Sequence, residues 1–324
     1  MPVLKRIGAV VIAYNSEQEI GPCLDSIPRE VETIVVDNAS TDGTRERVRE
    51  RRRVRLIANP WNRGFAAAAN QGIDALDTEY ALVLNPDVEL DGGLETLAAA
   101  CDAPQIAGGG GKLLGPDGRP QQGFMFRDFP TPLALAFEVL GINRLWRNNP
   151  VNRRYRRLDA DPDIAAEVDQ PAGAMLMLRQ DVWRKLGGFD ESFGPVWFED
   201  VDLLRRAASA GYRARYVPTA VARHKGAHAV SRIAVASREL YWYGNLLKYA
   251  ARHFPRIGRL AVAAAVMVGS LLRAILGIIR SGSVKPVLIY ARVFRLAGGI
   301  MFSGSGEAPV LLLPSKTVGD GVIR

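Results

Sequence analysis

The chain has 324 residues, 48% of them hydrophobic and 23% charged, proportions that exclude a disordered polymer and supply a core of ordinary size. Its net charge of +8 leaves nucleic acid, anionic lipid and anionic small substrates open as partners, because charge alone does not choose among them. Cys23 and Cys101 stand far apart with no CxxC or Cys/His spacing, so neither a zinc site nor a disulfide framework is indicated, and a reducing cytoplasm is the simplest context.

The first residues, MPVLKRIGAVVIAYN, place basic side chains before an apolar run that is short, lacks a small-residue cleavage site and ends in Tyr14-Asn15. Residues 7–13 are therefore expected as a buried strand and not as a signal peptide. Residues 16–27 follow as a helix, with Ser16 as its cap and Glu19 three residues on. A second strand over 31–36 ends in the polar turn Asp37-Asn38-Ala39-Ser40-Thr41-Asp42-Gly43-Thr44, which leads into an arginine-rich helix. The basic run 45–55 (RERVRERRRVR) reads as the solvated face of that helix. Strand 54–58, the alanine-rich helix 64–76 and strand 80–84 complete the series, the last ending in Asn85-Pro86-Asp87.

Strands that alternate with helices imply a mostly parallel sheet with right-handed crossovers. Ligands bind beyond the carboxyl ends of such strands. Three polar clusters fall there, at 37–44, 59–64 and 85–87. Residues 115–165 are irregular and rich in Pro, Gly, Arg and Asn, as expected of long substrate-contacting loops. Within them the run 153–157 (RRYRR) is suited to phosphates or lipid headgroups. Regular signals resume at 168–178, followed by a helix over 179–186, a helix over 199–210 stopped at Gly211, and a strand over 212–218.

The C-terminal part changes character. Residues 257–279 are apolar apart from Arg259 and Arg273, and the uncharged stretch 260–272 is shorter than the ~20 residues of a membrane span. A second apolar and basic stretch covers 287–302. Two readings stay open: a hairpin lying on a membrane surface, or a buried helical pair that serves as core or as a homodimer interface.

Several residues could carry chemistry. Asp87, at a strand end, is placed to hold a divalent cation, although Asn-Pro-Asp is also ordinary turn chemistry. Glu199, Asp200 and Asp202 open a helix below Trp197 and Phe198. They fit a general base in a partly apolar pocket, or simply complement the helix dipole. His224, taken alone, reads as a packed histidine; a metal role needs a partner such as Asp87. His228 lies at i+4 from it, without the glutamate or helix signal of a zinc-protease motif.

Together these segments resemble the inverting glycosyltransferases of family 2, in particular their rhamnosyltransferase-like branch. The matching pieces, in the family's order, are VVIAYN, VVDNASTDGT, NRGFAAAAN, LNPDVEL, QPAGAMLMLR and the long segment GGFDESFGPVWFEDVDLLRRAASAGYRARYVPTAVARHKGAHA, spanning about residues 7–230. The resemblance implies an α/β GT-A (Rossmann-like) nucleotide-diphospho-sugar transferase fold with a mostly parallel sheet. It implies a catalytic domain over 1–255, with a nucleotide-sugar half to about 110 and an acceptor half to 255, and leaves 256–324 as a helical extension. It further implies that Ala13, Tyr14, Asn15, Asp37, Asn38, Arg63, Gly64, Asn70 and Asn85 line the donor, and that Asp87 and His224 bind Mg²⁺ or Mn²⁺. Asp200 is implied as the base, Glu199 as its orienting partner, and Gly173, Ala174, Trp197 and Phe198 as acceptor contacts. One departure stands out: the family's DxD reads Asn85-Pro86-Asp87, with one carboxylate missing.

The activity implied is transfer of a sugar from a nucleotide-diphospho-sugar (dTDP-rhamnose, with UDP- and GDP-sugars as alternatives) to a glycan or polyprenyl-linked glycan. The setting implied is cell-wall or surface polysaccharide synthesis at the cytoplasmic membrane face. Three rivals remain. A non-catalytic nucleotide-sugar binder is opposed by intact Asp87, Asp200 and His224. A nucleic-acid-binding protein is opposed by the lack of any RNP-like or zinc-finger pattern. A processive synthase needs several membrane helices where the sequence offers at most one or two.

Overall fold

A computed structural model describes residues 2–226 and 234–302. His228 and the last residues of the long glycosyltransferase-like segment lie outside the described residues.

The β-branched run Ile7–Ala13 forms β1, buried along its whole length. It takes β2 (Glu32–Asp37) on one side and β4 (Tyr80–Leu84) on the other, both parallel, with β3 (Val54–Ala58) beyond β2. The hydrogen-bonded order is β3-β2-β1-β4-β10-β6-β11-β5, with β8 beside β11. Here β5 is Val88–Gly92, β6 Ile106–Leu114, β8 Ala166–Val168, β10 Met175–Arg179 and β11 Arg213–His224. Strands β1, β2, β3, β4, β6 and β11 run one way, and β5, β8 and β10 oppose them. A short pair, β7 (Phe126–Arg127) with β9 (Gln170–Pro171), stands apart.

Helices cover both faces of the sheet, which is why its central strands are apolar on both sides. On one face, α1 (Ile20–Ser26), α2 (Thr44–Arg49) and α4 (Leu94–Cys101) bury Leu24, Val48 and Leu97. On the other, α3 (Phe65–Asp74), α8 (Gln180–Lys185) and α9 (Glu199–Ser209) bury Ile73, Trp183 and Leu203. This is the α/β fold expected, with three corrections. Ser16 does not cap α1, which starts at Ile20; its hydroxyl donates to the Tyr14 carbonyl instead. The basic run 45–55 is not one helical face, because α2 ends at Arg49 and β3 begins at Val54. Arg45 and Arg51 pair with Asp37 and Asp25.

The third correction concerns 115–165, which holds more regular structure than expected: α5 (Pro132–Val139), α6 (Ile142–Leu145) and α7 (Pro150–Tyr155). Thr131 and Asn149 cap α5 and α7 by accepting the Ala134 and Asn152 N–H groups, each followed by a proline at the first helical position. The arginines of 153–157 are largely paired within the protein, Arg153 with Asp159, Arg156 with Glu138 and Arg157 with Asp128.

Three long helices follow, α10 (Val235–His253), α11 (Arg256–Ser281) and α12 (Lys285–Phe302). They share one apolar cluster with Leu135 and Val139 of α5 and with Phe193. The α11–α12 hairpin is buried along one part and exposed along another. Val262, Ala263, Val266, Gly269 and Ser270 are buried, whereas Leu271, Leu272, Ile275, Ile279, Val284 and Leu288 at the hairpin's tip are exposed.

Asp202 fastens α10 to α9. Its side chain is fully buried and accepts from Arg206 at 2.8 Å, Arg252 at 2.9 Å and His253 at 2.8 Å. Burial alone would raise its pKa, but these hydrogen bonds hold it down to about 2. Since an unfolded aspartate titrates near ~3.9, this stabilisation is present above that pH and is lost as pH falls toward the folded value. Asp202→Asn leaves Arg206 without its counter-charge and Arg252 with Asp190 alone. We expect it to cost about 3 kcal/mol and to lower Tm by roughly 5–10 °C, measurable by thermal unfolding at neutral pH.

Candidate active site

The carboxyl ends of β1, β2 and β3 meet through main-chain hydrogen bonds: Asn38 N–H to the Ala13 carbonyl at 2.8 Å, and Asn59 N–H to the Asp37 carbonyl at 2.9 Å. The Asn38 amide donates to the Gly64 carbonyl at 3.1 Å and accepts from Asn59 at 3.1 Å. The polar clusters at 37–44 and 59–64 are thus one unit. Asp37 is fully buried; its Oδ2 accepts from Arg45 at 2.6 Å and from the Ser40 N–H at 3.1 Å, while Oδ1 has no partner. A buried acceptor of this kind is ready for a ligand's N–H or O–H. Asn15 and Ala39 hold positive φ of 49° and 65°, and Asn15 ties the two turns by taking the Thr41 N–H on its Oδ1 and giving its N–H to the Ser40 hydroxyl. Tyr14 and Arg63 are partly exposed beside them.

The third cluster joins from β4. The Asn85 N–H donates to the Ala174 carbonyl at 3.0 Å, so Ala174, expected as an acceptor contact, has its side chain buried in the core and serves through its main chain. Asp87 is brought to His224 by the antiparallel pairing of β5 with β11, in which Val88 lies opposite His224. Asp87 Oδ2 accepts the Gly226 N–H at 3.0 Å, and its Oδ1 lies 3.7 Å from His224 Nε2. That separation is too long for a hydrogen bond.

The histidine's tautomer follows from its neighbour. The Gln121 amide nitrogen donates to the His224 carbonyl at 2.9 Å, which turns its Oε1 toward His224 Nδ1, also at 2.9 Å. A carbonyl only accepts, so Nδ1 carries the proton and Nε2 the lone pair. Burial keeps this imidazole below its usual pKa, with Asp87 opposing. Nε2 is buried without a partner, and Phe124 stacks on the ring at 5.2 Å. A lone pair and a carboxylate oxygen 3.7 Å apart fit a common divalent ion, since two ligands each ~2.1 Å away lie at most about 4.2 Å apart. No group of three or more His, Cys, Asp or Glu side chains arranged for a metal occurs among the described residues.

A second pair of carboxylates opens α9. Trp197 and Phe198, just before it, both hold positive φ, 80° and 73°, which is costly for bulky side chains and marks a segment held in place by its surroundings. Here Asn245 of α10 donates to the Val196 carbonyl at 2.9 Å, Lys248 to the Ser192 carbonyl, and the Phe198 ring packs on Tyr249 at 5.5 Å. Glu199 is buried with Oε2 unpartnered; burial, then the Asp200 charge, lift its pKa well above the usual carboxylate range. Asp200 is also raised by burial, against the opposing Val201 N–H, which it accepts at 2.8 Å, and the Arg127 charge. Both carboxyl groups of the pair therefore hold their protons more tightly than exposed ones do. Gly173 makes room for it: a Cβ there would lie 2.6 Å from Asp200 Oδ2.

Asn70, expected at the donor, is committed elsewhere. Its amide bonds the Phe189 N–H and carbonyl, each at 2.9 Å, and so holds the 187–190 turn against α3. Gly64 backs onto the same loop through Phe65, whose N–H donates to the Pro195 carbonyl. Sequence reasoning missed Gln121, Phe124, Arg127, Arg45 and Gly226. None carries a motif; each gains its place from the fold.

Two family models match this chain: glycosyl transferase family 2 over residues 9–122, and glycosyl transferase family group 2 over residues 167–317. The N-acetylglucosaminyl-diphospho-decaprenol L-rhamnosyltransferase of Mycobacterium tuberculosis is 30% identical over 296 residues, covering 82% of this chain and 93% of the relative. The low-salt glycan biosynthesis hexosyltransferase Agl10 of Haloferax volcanii is 24% identical over 209 residues, 63% of this chain and 62% of that one. In fold, the chain resembles GalNAc-T7 solved with UDP, GalNAc and Mn²⁺, with a TM-score of 0.51 at 14% identity over 76% of this chain and 50% of that one. The sheet described above has the GT-A fold. The chain belongs to glycosyl transferase family 2.

The Gly173 contact gives a test that leaves every charged group in place. Gly173→Ala must push the Asp200 carboxylate aside, and we expect kcat for sugar transfer to fall roughly 10²-fold with Tm little changed. Unaltered kcat would show that this carboxylate's position is unimportant.

Proposed function

We propose that the chain is an inverting glycosyltransferase that moves a sugar, rhamnose from dTDP-rhamnose in the first instance, onto a hydroxyl of a polyprenyl-diphosphate-linked glycan at the cytoplasmic membrane face, in cell-wall or surface polysaccharide synthesis. The observation that carries the donor half is the orphaned His224 Nε2 facing Asp87 Oδ1 at 3.7 Å. The mycobacterial relative, named for L-rhamnosyl transfer to N-acetylglucosaminyl-diphospho-decaprenol, supports the choice of sugar and acceptor. GalNAc-T7, of similar fold, was solved with Mn²⁺ and UDP. Residues 1–255 form the catalytic domain in this reading and 256–324 its extension.

Asp37, with Asn38 and the Asn62–Gly64 turn, holds the nucleoside. Asp87 and His224 hold Mg²⁺ or Mn²⁺. Such an ion supplies the positive charge that stabilises the leaving nucleoside diphosphate. Asp200 accepts the acceptor hydroxyl's proton as that oxygen attacks the anomeric carbon opposite the leaving group, and one displacement inverts the centre. Buried Glu199 orients the pair. No second catalytic acid is required, because a diphosphate departs without protonation.

The hairpin tip supports a membrane surface over a span. By length and composition α11 could cross a bilayer, but its first part is buried against α5 and α12. The exposed stretch 271–281 is only about 16 Å long, half of the ~30 Å hydrocarbon layer. Such a tip lies in the interface. Ile275→Glu with Ile279→Glu is expected to abolish co-sedimentation with phosphatidylglycerol vesicles; unchanged pelleting would remove the membrane from this reading.

Differential scanning fluorimetry with Mn²⁺ and dTDP-, UDP- or GDP-sugars ranks donors by ligand-linked stabilisation. The largest shift is expected with dTDP-rhamnose, and a flat response to all three overturns the donor reading. The pH profile tests the base. Because the Asp200 pKa is raised and only its ionised form accepts a proton, kcat/KM should climb with pH along an acid limb above the ordinary ~3.9 of aspartate. Asp200→Asn should remove most activity and this limb with it.

A further inference from the structure

A cleft of about 750 Å³ opens between the α6–α7 segment and the α11–α12 hairpin. Five arginines line it, Arg144, Arg147, Arg156, Arg273 and Arg280, against two glutamates. Both glutamates are already engaged, Glu138 by Asn143 at 2.8 Å and by Arg156, and Glu239 by the Tyr290 hydroxyl at 3.3 Å. Arg273 is turned onto the main-chain carbonyls of Val139 and Gly269. Arg144, Arg147 and Arg280 are exposed and form no ion pair with any described residue. Three cations line one cleft with no ion-pair partner among the described residues, and of its two acids Glu138 is already paired with Arg156; this makes a site for a polyanion, and guanidinium forks match phosphate oxygens in particular.

Two neighbours of the cleft say which polyanion. On one side it is walled by Gln122, whose amide holds the Leu158 carbonyl at 2.6 Å. Gln122 sits in the same short segment as Gln121 and Phe124, which fix His224, and Arg127, whose charge acts on Asp200. A ligand in the cleft is thus one chain segment away from the reacting centre. On the other side Leu276, Pro286 and Ile289 line the cleft beside Arg280, and the exposed Ile275, Ile279, Val284 and Leu288 continue that surface outward. Clustered cations at the foot of an apolar face match an amphiphile with phosphates next to a hydrocarbon chain.

We propose that this cleft seats the diphosphate of the lipid-linked acceptor, gripped by Arg144, Arg147 and Arg280, with the polyprenyl chain lying along the hairpin tip. The proposal rests on the lipid-linked acceptor reading given above, and it adds the site that recognises the acceptor's phosphates. Specificity then lies in two places, the sugar hydroxyl at Asp200 and the diphosphate at the arginines.

Farnesyl diphosphate is the probe, titrated by calorimetry into the full chain and into an Arg144→Ala, Arg280→Ala double variant. We expect the variant to bind it roughly tenfold more weakly or worse. Its Tm shift with donor nucleotide should be retained, which shows that it folds. In transfer assays with N-acetylglucosaminyl-diphospho-polyprenol, KM for the acceptor should rise by a similar factor while KM for the donor stays. Equal farnesyl diphosphate affinity in both proteins overturns the proposal. So does loss of phosphatidylglycerol vesicle binding with farnesyl diphosphate binding intact, since the arginines would then meet bulk anionic lipid. Arginine-dependent farnesyl diphosphate binding in a protein that glycosylates no lipid-linked acceptor supports the cleft and overturns the acceptor reading instead.

Discussion

The pairing of β11 with two strands at once governs the site. β11 runs parallel to β6 and antiparallel to β5, and its register shifts between Val217 and Val221. The pairing ends with His224 opposite Val88, which sets the imidazole against Asp87. The chain carries one carboxylate where its family's motif has two, and this strand sets the His224 imidazole beside the one that remains. The same strand end binds Gln121, whose amide can point only one way and so leaves the Nε2 lone pair facing Asp87. The backbone pairing thus sets the place of the imidazole, and the Gln121 side chain sets its tautomer.

The base side depends on a different support. Trp197 and Phe198 adopt a backbone that neither would choose, and α10 holds them there through Asn245, Lys248 and Tyr249. α10 is itself fastened by the ion cluster around Asp202. Of the three acids that open α9, Asp202 is held by ion pairs that lower its pKa, while burial raises those of Glu199 and, less strongly, of the half-buried Asp200. Three adjacent carboxylates acquire three roles from what surrounds each. The first of the C-terminal helices accordingly braces the segment that carries the candidate acids.

Much of this was legible in the sequence. Strand β1 announces itself by a continuous β-branched run and β2 to β4 by short apolar runs between helices, and the polar clusters after them fall where ligands bind in parallel sheets. Strand β6 was not legible, because Gly108–Gly111 carry no strand signal; they are required there since side chains would strike the backbone of β10 and β11. The helices within 115–165 were signalled only by Thr131-Pro132 and Asn149-Pro150, easily lost among other prolines. Asn70 looked like a donor contact by its motif and is a loop brace. Gln121, Phe124 and Arg127 were illegible for a plainer reason: their importance lies wholly in what the fold sets beside them. The arginines of the C-terminal cleft are likewise separated in sequence and meet only across the packed hairpin.

The central claim is that Asp87 and His224 share one divalent ion. Mn²⁺ binding in the presence of dTDP, followed by electron paramagnetic resonance in the wild-type protein and in His224→Ala, tests it without reference to turnover. The expected result is saturable binding in the wild type, weakened about tenfold or more in the variant. Equal Mn²⁺ affinity in the two proteins would contradict a shared ion and return His224 to the role of a packed histidine.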